Sequence, residues 1–310
     1  MAPLPTCSDI THRIPLGRGT RWHDRPKDFA VYDRRRMKFS TETHAVVTGA
    51  AGGIGRALAR RFHAAGARLT ITDLDNDRLV AVCNELNAKR PMSAVAISVD
   101  IGTRDGNLRL IDFARENFGP VDLFFANAGV GMGTDLEHSD DLAWDTSFNV
   151  NVHAHRWAAE VLVPEWIERG SGYFCSTASA AGLLAQIGSA PYSVTKHAAV
   201  AFAEWLSITY HDRGLRVSCL CPQGVNTNML NPEKSTTTDK AFASAGDIVK
   251  AAGAVLEPED VAEVVFNAIE AEQFLILPHP EVETYMTTRA SQHARWLGGM
   301  RKLQARVFGN

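Results

Sequence analysis

From Thr43 onward, short runs of β-branched and apolar residues alternate regularly with amphipathic helical segments. This alternation predicts a mostly parallel sheet with helices on both faces. The short runs are hydrophobic throughout, as expected of strands that are covered on both sides. We therefore predict an α/β protein with a single doubly wound sheet, whose strand candidates are HAVVTG, RLTITD, AVAISVD, VDLFFANAG, GYFCSTAS, LRVSCLCP and FLILP.

The segment before this pattern has a different composition. Residues 1–36 are rich in Pro, Gly and Arg, and they carry eight basic residues (seven Arg and Lys27) against four Asp. We expect a disordered N-terminal extension, because this segment buries too little apolar surface to offset the entropy of ordering it. The alternatives are a targeting segment, against which the four Asp argue, and a tail for an anionic partner.

The remaining residues, 37–310, are expected to form one domain. Residues 228–254 are polar with many small side chains, which predicts a mobile substrate loop with one or two helical turns. We expect residues 280–307 to form a C-terminal helical tail.

The composition narrows the class of function. The net charge of −3 gives the 310-residue chain no overall field that would attract nucleic acid or an acidic membrane. No run approaches the ~18 apolar residues that a membrane span needs. The five cysteines are an odd number without the spacing of a zinc site, as expected for reduced structural thiols. We therefore expect a cytoplasmic protein without a metal site.

A glycine-rich segment, VVTGAAGGIGRALA, joins the first strand candidate to the first helix. Gly49, Gly53 and Gly55 have the spacing G-x-x-x-G-x-G. Glycines allow a tight turn and close backbone approach, and a helix N-terminus offers free N–H groups to a pyrophosphate. The alternative is a strand–helix turn that binds no ligand.

Asp73 ends the second strand candidate, where an acidic side chain would accept hydrogen bonds from the adenosine ribose. The alternative is an ordinary N-cap for the next helix. Since Asp73 would repel a 2′-phosphate and TGAAGGIG contains no Lys or Arg, we predict NAD rather than NADP.

Tyr192 and Lys196 are four residues apart in PYSVTKHAAVAF, at the start of a long apolar helical segment. Positions i and i+4 share a helix face, so the phenol and the ammonium can lie side by side. A neighbouring cation favours the phenolate, which would make the tyrosine a better base. This spacing is weak by itself, and two unrelated helix residues would also produce it.

Taken together, TGAAGGIG, NAG at residues 127–129, Asn151, Ser179, YSVTK and CPQGVNT resemble the short-chain dehydrogenase/reductase family in content, order and spacing. The resemblance covers roughly residues 43–278. It implies a Rossmann-like fold and an NAD(P)-dependent alcohol dehydrogenase or ketone reductase.

The resemblance also implies four catalytic residues. Tyr192 matches the general acid/base, and Lys196 matches the residue that lowers the pKa of this tyrosine and holds the nicotinamide ribose. Ser179 matches the serine that hydrogen-bonds the substrate oxygen. Asn151 matches the asparagine of a water-linked proton relay, with Asn149 as a rival two positions earlier.

For the cofactor, the resemblance implies contacts with the glycine-rich turn, with the ends of the second, third, fourth and sixth strands and with the catalytic helix. Pro222 and Gly224 are separated by Gln223, whereas the family usually has Pro-Gly, which leaves the local backbone near the nicotinamide open. The implied cofactor residues are Gly49, Gly53, Ile54, Gly55, Asp73, Asp100, Ile101, Asn127, Ala128, Gly129, Tyr192, Lys196, Pro222, Gly224, Val225 and Thr227.

The segments expected beside the catalytic residues are mostly apolar or small: residues 130–133, 183–188 and 229–242. We therefore expect NAD-dependent interconversion of a small hydrophobic secondary alcohol and its ketone. The alternatives are an NADPH-linked carbonyl or 3-oxoacyl reductase and a non-catalytic NAD sensor or scaffold.

The segment from Tyr192 to Asp212 is apolar almost all round, so a helix there needs cover on every side. A partner subunit would supply that cover, and the resemblance implies a homodimer or homotetramer. The alternative is burial under residues 282–307 of the same chain.

Overall fold

A single parallel sheet of seven strands organises the protein in a computed structural model, which describes residues 36–230 and 253–308 together with Gly246 and Val249. Its order is β3-β2-β1-β4-β5-β6-β7. The strands are β1 (His44–Thr48), β2 (Arg68–Thr72), β3 (Ala94–Ile97), β4 (Leu123–Ala126), β5 (Gly172–Thr177), β6 (Leu215–Leu220) and β7 (Leu275–Ile276). The predicted doubly wound sheet is confirmed, and each predicted strand segment contains one strand.

Helices cover both faces of the sheet. One face packs against α1, α2 and α7, and the other against α3, α5 and α6. The helices are α1 (Gly53–Ala64), α2 (Asn76–Lys89), α3 (Arg104–Phe118), α4 (Asp141–Phe148), α5 (Ala154–Arg169), α6 (Ala190–Tyr210), α7 (Pro258–Glu270), α8 (Glu281–Ser291) and α9 (His293–Phe308).

Strand β1 shows why the strands read as continuous apolar runs. Ala45 and Val47 point into the layer with α1, while Val46 between them points into the layer with α5. All three side chains are fully buried. Because successive side chains of a strand point to opposite faces, a sheet with two covered faces buries both sets of side chains and favours apolar residues at successive positions.

Helix α6 begins at Ala190, two residues before the predicted start at Tyr192. Pro191 occupies its first turn, where the missing N–H of proline costs no hydrogen bond and its fixed φ suits a helix. Tyr192 is therefore held in the first turn of a helix of 21 residues.

Two predictions fall wholly or largely on residues outside the described ranges. The predicted N-terminal extension lies outside them apart from Arg36, as does most of the predicted substrate loop at 228–254. The predicted tail at 280–307 contains α8 and α9. Among the described residues, no helix is both long and apolar enough to cross a membrane.

Candidate active site

Strand order reverses between β1 and β4, and the turn after β1 lies at this point. Ligands of open α/β sheets bind at such a switch point, outside the carboxyl ends of the strands. Gly49 has a φ of +67°, a left-handed conformation that favours glycine. A Cβ on Gly55 would come within 2.0 Å of the Gly49 carbonyl oxygen, so α1 can start this close to β1 only with glycine there. The turn thus presents bare backbone and a helix N-terminus to a ligand.

Asn127 ties the ends of three strands together beside this turn. The Thr48 Oγ1 atom accepts hydrogen bonds from the backbone N–H groups of Asn127 and Ala128, both at 2.9 Å. The Asn127 side chain donates to the Thr48 carbonyl oxygen at 3.0 Å and accepts from Thr177 Oγ1 at 3.1 Å. The NAG segment is therefore fixed to β1 and β5, and Asn127 acts first as a structural connection.

Asp73 follows β2 and its carboxylate reaches across to the glycine-rich turn. Its Oδ2 accepts a hydrogen bond from the Ala51 N–H at 2.9 Å, and its Oδ1 accepts from the Asp75 N–H at 3.2 Å. The N-cap of α2 is Asp75, which accepts from the Arg78 N–H at 3.1 Å. The alternative that Asp73 serves as the helix cap is therefore wrong.

Asp100 and Ile101 follow β3. Asp100 is exposed, and its Oδ1 accepts a hydrogen bond from the Gly102 N–H at 2.8 Å. Ile101 is buried, and its carbonyl oxygen accepts from the Asn107 side chain at 2.6 Å. The cofactor contact that the resemblance implies for Asp100 and Ile101 stays a prediction.

Asn151 is buried in a π-helical turn, Asn149–His153, which joins α4 to α5. Its Oδ1 accepts from the Val130 N–H at 2.9 Å, and its Nδ2 donates to the Val130 carbonyl oxygen at 2.9 Å and to Thr195 Oγ1 at 3.1 Å. The side chain is thus fully engaged with the loop after β4 and with α6. Asn149 is only half-buried, which favours Asn151 as the residue of the site.

Ser179, Tyr192 and Lys196 meet at the carboxyl end of β5. The Ser179 side chain lies close enough to the Tyr192 phenol to lower its pKa, and its Oγ lies 3.5 Å from the Pro222 carbonyl oxygen. Lys196 Nζ lies 5.6 Å from the centre of the Tyr192 ring and donates to the Thr177 carbonyl oxygen at 2.9 Å. A Cβ on Gly129 would lie 3.1 Å from both Lys196 Nζ and Asn151 Oδ1. The structure therefore brings together all four residues that the resemblance named as catalytic.

Burial dominates the electrostatics of this cluster. It raises the pKa of Tyr192 above its ordinary value, although the Ser179 side chain acts in the opposite direction. It also lowers the pKa of Lys196 to about 8, because a low-dielectric environment disfavours the charged ammonium. The causes of the Tyr192 shift are burial, Ser179 and Cys221, so the expectation that Lys196 lowers the pKa of this tyrosine stays a prediction.

The loop after β6 lies beside both the glycine-rich turn and the segment that follows Ser179. The Pro222 carbonyl oxygen accepts from the Ala180 N–H at 2.8 Å, which joins this loop to the segment that follows Ser179. Val225 pairs with Leu256 in an isolated parallel bridge. A Cβ on Gly53 would lie 3.0 Å from the Thr227 methyl group. Gly53 and Thr227, which the resemblance implies as cofactor residues, are therefore neighbours.

The arrangement agrees with a comparison of the sequence with known families. Residues 43–238 match the model of the short chain dehydrogenase family. This chain is a short-chain dehydrogenase. The match covers well over half of its length and includes the glycine-rich turn, Asn151, Ser179, Tyr192 and Lys196.

Individual relatives are similar over most of their length. The chain is 35% identical over 240 residues to 1-deoxy-11-beta-hydroxypentalenate dehydrogenase of Streptomyces exfoliatus, covering 76% of this chain and 83% of that protein. It is 33% identical over 187 residues to 3beta-hydroxysteroid dehydrogenase 2 of Eggerthella lenta, covering 60% and 72%. A short-chain dehydrogenase/reductase from Burkholderia phymatum, solved in complex with NAD, superimposes with a TM-score of 0.76 at 30% identity, covering 83% and 96%.

This short-chain dehydrogenase is accordingly an oxidoreductase of the alcohol dehydrogenase and ketone reductase kind. Its fold binds nicotinamide dinucleotides in the related structure that was solved with NAD. Among the residues that the structure describes, no group of three or more His, Cys, Asp or Glu side chains could hold a metal ion.

His279 holds the backbone around Gln223, which the dehydrogenase has where the family usually has Gly. The buried imidazole accepts a hydrogen bond from the Gln223 N–H on Nδ1 at 3.1 Å and bonds the Gly224 carbonyl oxygen through Nε2 at 3.0 Å. These partners fix the neutral tautomer with its proton on Nε2, because a backbone N–H donates and a carbonyl accepts. The loop after β6 is thus held by a side chain that follows β7, and a lone His in LPHP gave no sign of this in the sequence.

A cationic pocket lies next to Ala51, the residue that bonds to Asp73, and its arginines come from α1 and α2 and not from the glycine-rich turn. A cavity of about 160 Å³ next to Ala51 is lined by Arg56, Arg60 and Arg78. Glu85 neutralises Arg60 through an ion pair of 2.6 Å. Arg78 lies so close to Gly52 that a Cβ there would come within 3.0 Å of its guanidinium. Arg78 lies more than twenty positions from the turn in the sequence, so its spacing gave no sign of this approach.

Two of the segments predicted to surround the substrate are attached to the start of α6. The Ala190 N–H donates to the Thr134 carbonyl oxygen at 2.7 Å, directly after residues 130–133. The Gln186 N–H donates to Ser193 Oγ at 3.1 Å, within residues 183–188. Both segments therefore lie beside Tyr192, whereas most of residues 229–242 lie outside the described ranges.

Proposed function

We propose that this chain is an NAD-dependent short-chain dehydrogenase that interconverts a hydrophobic secondary alcohol and its ketone, with Tyr192 as the general acid/base. The observation that carries the proposal is the cluster of Ser179, Tyr192 and Lys196 at the strand end that faces the glycine-rich turn. A protein that only senses NAD has no use for this proton-transfer group, so catalysis explains the cluster better than a scaffold does.

Tyr192 exchanges the hydroxyl proton. Oxidation of an alcohol requires removal of this proton, and reduction of a ketone requires its return. Ser179 donates to the substrate oxygen and stabilises the developing alkoxide, as an oxyanion donor does. Because burial raises the pKa of Tyr192, the phenol is protonated at neutral pH and is ready to act as the acid in reduction. Alcohol oxidation should therefore become faster as the pH rises into the alkaline range.

Lys196 and Asn151 position the proton-transfer group. Both polar atoms of the Asn151 side chain bond to Val130, and Nδ2 also bonds to Thr195. The asparagine therefore fixes α6 against the loop after β4, and it can support a proton-relay water only through its backbone. π-helical turns such as Asn149–His153 are frequent at functional sites, because they disturb the regular backbone hydrogen bonding.

The backbone beside the site fits a dinucleotide. Gly49 is left-handed, and the N-terminus of α1 is open to a pyrophosphate. The residues that would hold the cofactor are those named from the sequence, with Asp73 at the adenosine ribose and Lys196 at the nicotinamide ribose. When bound, the nicotinamide accepts or returns a hydride, and its positive charge in the oxidised form favours the Tyr192 phenolate.

NAD is the proposed cofactor because the Asp73 carboxylate is directed to the ribose end of the turn by its bond to Ala51. A 2′-phosphate at that position would be repelled. A specific observation favours a second candidate, an NADP-linked reductase. The Arg56 Nε is buried without a hydrogen-bond partner among the described residues, and Arg78 lies beside it in the same cavity. The two arginines could attract a 2′-phosphate despite Asp73.

A hydrophobic substrate is proposed from the segments around Tyr192. Residues 130–133 and 183–188 offer apolar or small side chains apart from Gln186. The names of the two relatives, a hydroxypentalenate dehydrogenase and a hydroxysteroid dehydrogenase, describe polycyclic substrates for those proteins. They support a bulky hydrocarbon alcohol for this chain.

We also propose a homodimer or homotetramer in the cytoplasm. On α6, Trp205 is 52% and Ile208 is 83% exposed, and the described helices α8 and α9 leave both uncovered. Such apolar exposure suits a partner subunit better than solvent. The free thiols of Cys83, Cys175, Cys219 and Cys221 suit a reducing compartment. Light scattering of the purified protein would test the oligomer.

The experiment that tests the function is a turnover assay with NAD and NADP against aliphatic, aromatic and steroid secondary alcohols, and with NADH and NADPH against their ketones. We expect activity with NAD and hydrophobic alcohols, and the highest oxidation rates at alkaline pH. Tight NAD binding without turnover of any alcohol or ketone would support the sensor instead.

A further inference from the structure

Helix α9 and the loop at residues 183–188 line an open apolar groove of about 330 Å³, which we call the C-terminal groove. The loop contributes Ala185 and Ile187. The helix contributes four apolar residues on one side, and the polar Arg301 and Gln304 complete the lining. These four residues are Trp296, Leu297, Met300 and Ala305.

Arg289 fastens the C-terminal helices to this loop. From the last turn of α8, its guanidinium donates a hydrogen bond to the carbonyl oxygen of Leu183. The same guanidinium lies 5.5 Å from the centre of the Trp296 ring, a cation–π contact with α9. One arginine therefore holds both sides of the C-terminal groove in place.

The loop that lines the C-terminal groove is attached to the catalytic end of α6 through Gln186. Ala185 and Ile187, which line the groove, flank Gln186, and its N–H donates to Ser193 Oγ at 3.1 Å. Ser193 is the residue next to Tyr192. The loop at residues 183–188 therefore lines the C-terminal groove and is bonded to α6 at the residue next to Tyr192.

The charges on α9 argue against a second copy of the chain as the occupant. Arg295, Lys302 and Arg306 are exposed, and the segment from His293 to Phe308 has no acidic residue. Two such helices would repel each other. An uncharged apolar molecule meets no such repulsion, and the volume lies within the ~300–1,000 Å³ of small-molecule pockets.

We propose that the C-terminal groove binds the hydrocarbon part of the substrate remote from the reacting carbon, so that α9 determines specificity for long or polycyclic secondary alcohols. This inference rests on the proposed function. It assigns to α8 and α9 a role in substrate selection that neither the catalytic residues nor the cofactor residues require.

The test compares a series of alcohols from butan-2-ol to decan-2-ol, with whichever cofactor the wild-type enzyme uses. In the wild type we expect kcat/KM to rise by up to about fourfold per methylene, which corresponds to ~0.8 kcal/mol for each buried CH₂. In Ala305→Trp, which fills the groove, the ratio of kcat/KM for decan-2-ol to that for butan-2-ol should fall at least about tenfold. Lys302→Ala, on the exposed side of α9, should keep the wild-type ratio.

A milder filling variant, Ala305→Leu, covers the case in which Ala305→Trp does not fold, and it should lower the same ratio to a smaller extent. An unchanged ratio in folded filling variants would overturn the groove assignment and leave the proposed function intact. So would an equal loss for all chain lengths together with a smaller oligomer, since the groove would then be a subunit contact. Failure of the wild type to oxidise any alcohol would instead refute the proposed function.

Discussion

The contacts that support the two sides of the site differ greatly in sequence separation. The adenosine side is the glycine-rich turn with Asp73, and the substrate side is the loop after β6 together with residues 183–188. Asp73 bonds to Ala51 across 22 positions, within one strand–helix–strand unit. By contrast, His279 reaches Gln223 across 56 positions and Arg289 reaches Leu183 across 106. The adenosine side relies on backbone conformation and on a motif with fixed spacing. The substrate side relies on single side chains that arrive from the end of the chain.

This difference explains why a family resemblance reveals one side better than the other. A turn that exposes backbone to a pyrophosphate needs glycine at set positions, so the pattern is visible in the sequence. A wall that contacts hydrocarbon needs only apolar side chains of suitable size, which any amphipathic helix provides. The catalytic cluster was named by the resemblance together with the glycine-rich turn, and five experiments would test whether the two sides differ in this way.

The largest effect is expected at the junction of the two sides. Tyr192→Phe removes the group that exchanges the substrate proton, so turnover should fall by ~100-fold or more. Binding of NAD and the melting temperature should stay close to those of the wild type. Tyr210→Phe, at the other end of α6, is the matched control and should retain full activity. Wild-type turnover in Tyr192→Phe would refute the assignment of the acid/base.

The second effect concerns stability. Burial lowers the pKa of Lys196 to about 8, so below that pH the folded state bears the cost of a buried charge. Lys196→Met should therefore be inactive but more stable at pH 7, by up to about 3 kcal/mol, since each unit of pKa shift corresponds to ~1.4 kcal/mol.

The pKa of Lys196 is lower in the folded chain than in the unfolded chain, so the unfolded chain binds more protons between about pH 8 and pH 10. The wild type therefore becomes more stable as the pH rises through this range. The stability advantage of Lys196→Met should shrink across that window. Urea unfolding of both proteins at several pH values measures it, with Lys302→Met as the surface control. An advantage that is constant with pH would mean that the Lys196 ammonium is not destabilised by burial.

The adenosine side should respond to a single carboxylate. Asp73→Ser removes the repulsion of a 2′-phosphate and the acceptor for the ribose hydroxyls, so the kcat/KM preference for NAD over NADP should narrow by about tenfold, or ~1.4 kcal/mol. Asp77→Ser, an exposed aspartate in the first turn of α2, serves as the control. If the preference is unchanged in Asp73→Ser, the carboxylate only supports the turn through Ala51. Arg78→Ala should act in the opposite direction and weaken NADP.

Replacing His279, which belongs to no sequence motif, should weaken cofactor binding through the loop after β6. His279→Ala leaves the buried Gln223 N–H and Gly224 carbonyl without partners, a cost of ~1–3 kcal/mol per group. We expect the Kd for NAD to rise by about tenfold, while His279→Asn, which keeps a short acceptor, should lose less. His211→Ala, an exposed histidine, should leave the Kd unchanged. Equal cofactor affinity in all four proteins would show that the loop after β6 holds its conformation without His279.

The smallest effect is expected from removing the N-terminal segment. A chain that starts at Met37 keeps Phe39, whose ring stacks on Phe62 at 4.9 Å and contacts Phe266 at 5.0 Å. The contacts that close the domain at its start are therefore retained, and melting temperature, oligomer size and turnover should match the full chain. A melting temperature that is lower by several degrees would show that residues 1–36 dock on the domain and are not a disordered extension.

The sheet could be predicted from the sequence, because strands covered on both faces are mostly apolar at successive positions and alternate with amphipathic helical segments. The members of the glycine-rich turn and of the cluster of Ser179, Tyr192 and Lys196 were named by the family resemblance, which rests on several motifs in the same order and at similar spacings. The start of α6 was misplaced by two residues because a proline in the first helical turn looks the same as a proline before it.

The environment of these residues could be seen only in the tertiary structure. It showed that burial raises the pKa of Tyr192, that Asp75 rather than Asp73 caps α2, and that Arg78 approaches the turn from a different helix. It also brought His279 to Gln223 and Arg289 to Leu183. Each of these contacts joins distant segments through a single side chain. A single histidine or arginine forms no repeating pattern in the sequence, so its partner cannot be predicted from the sequence.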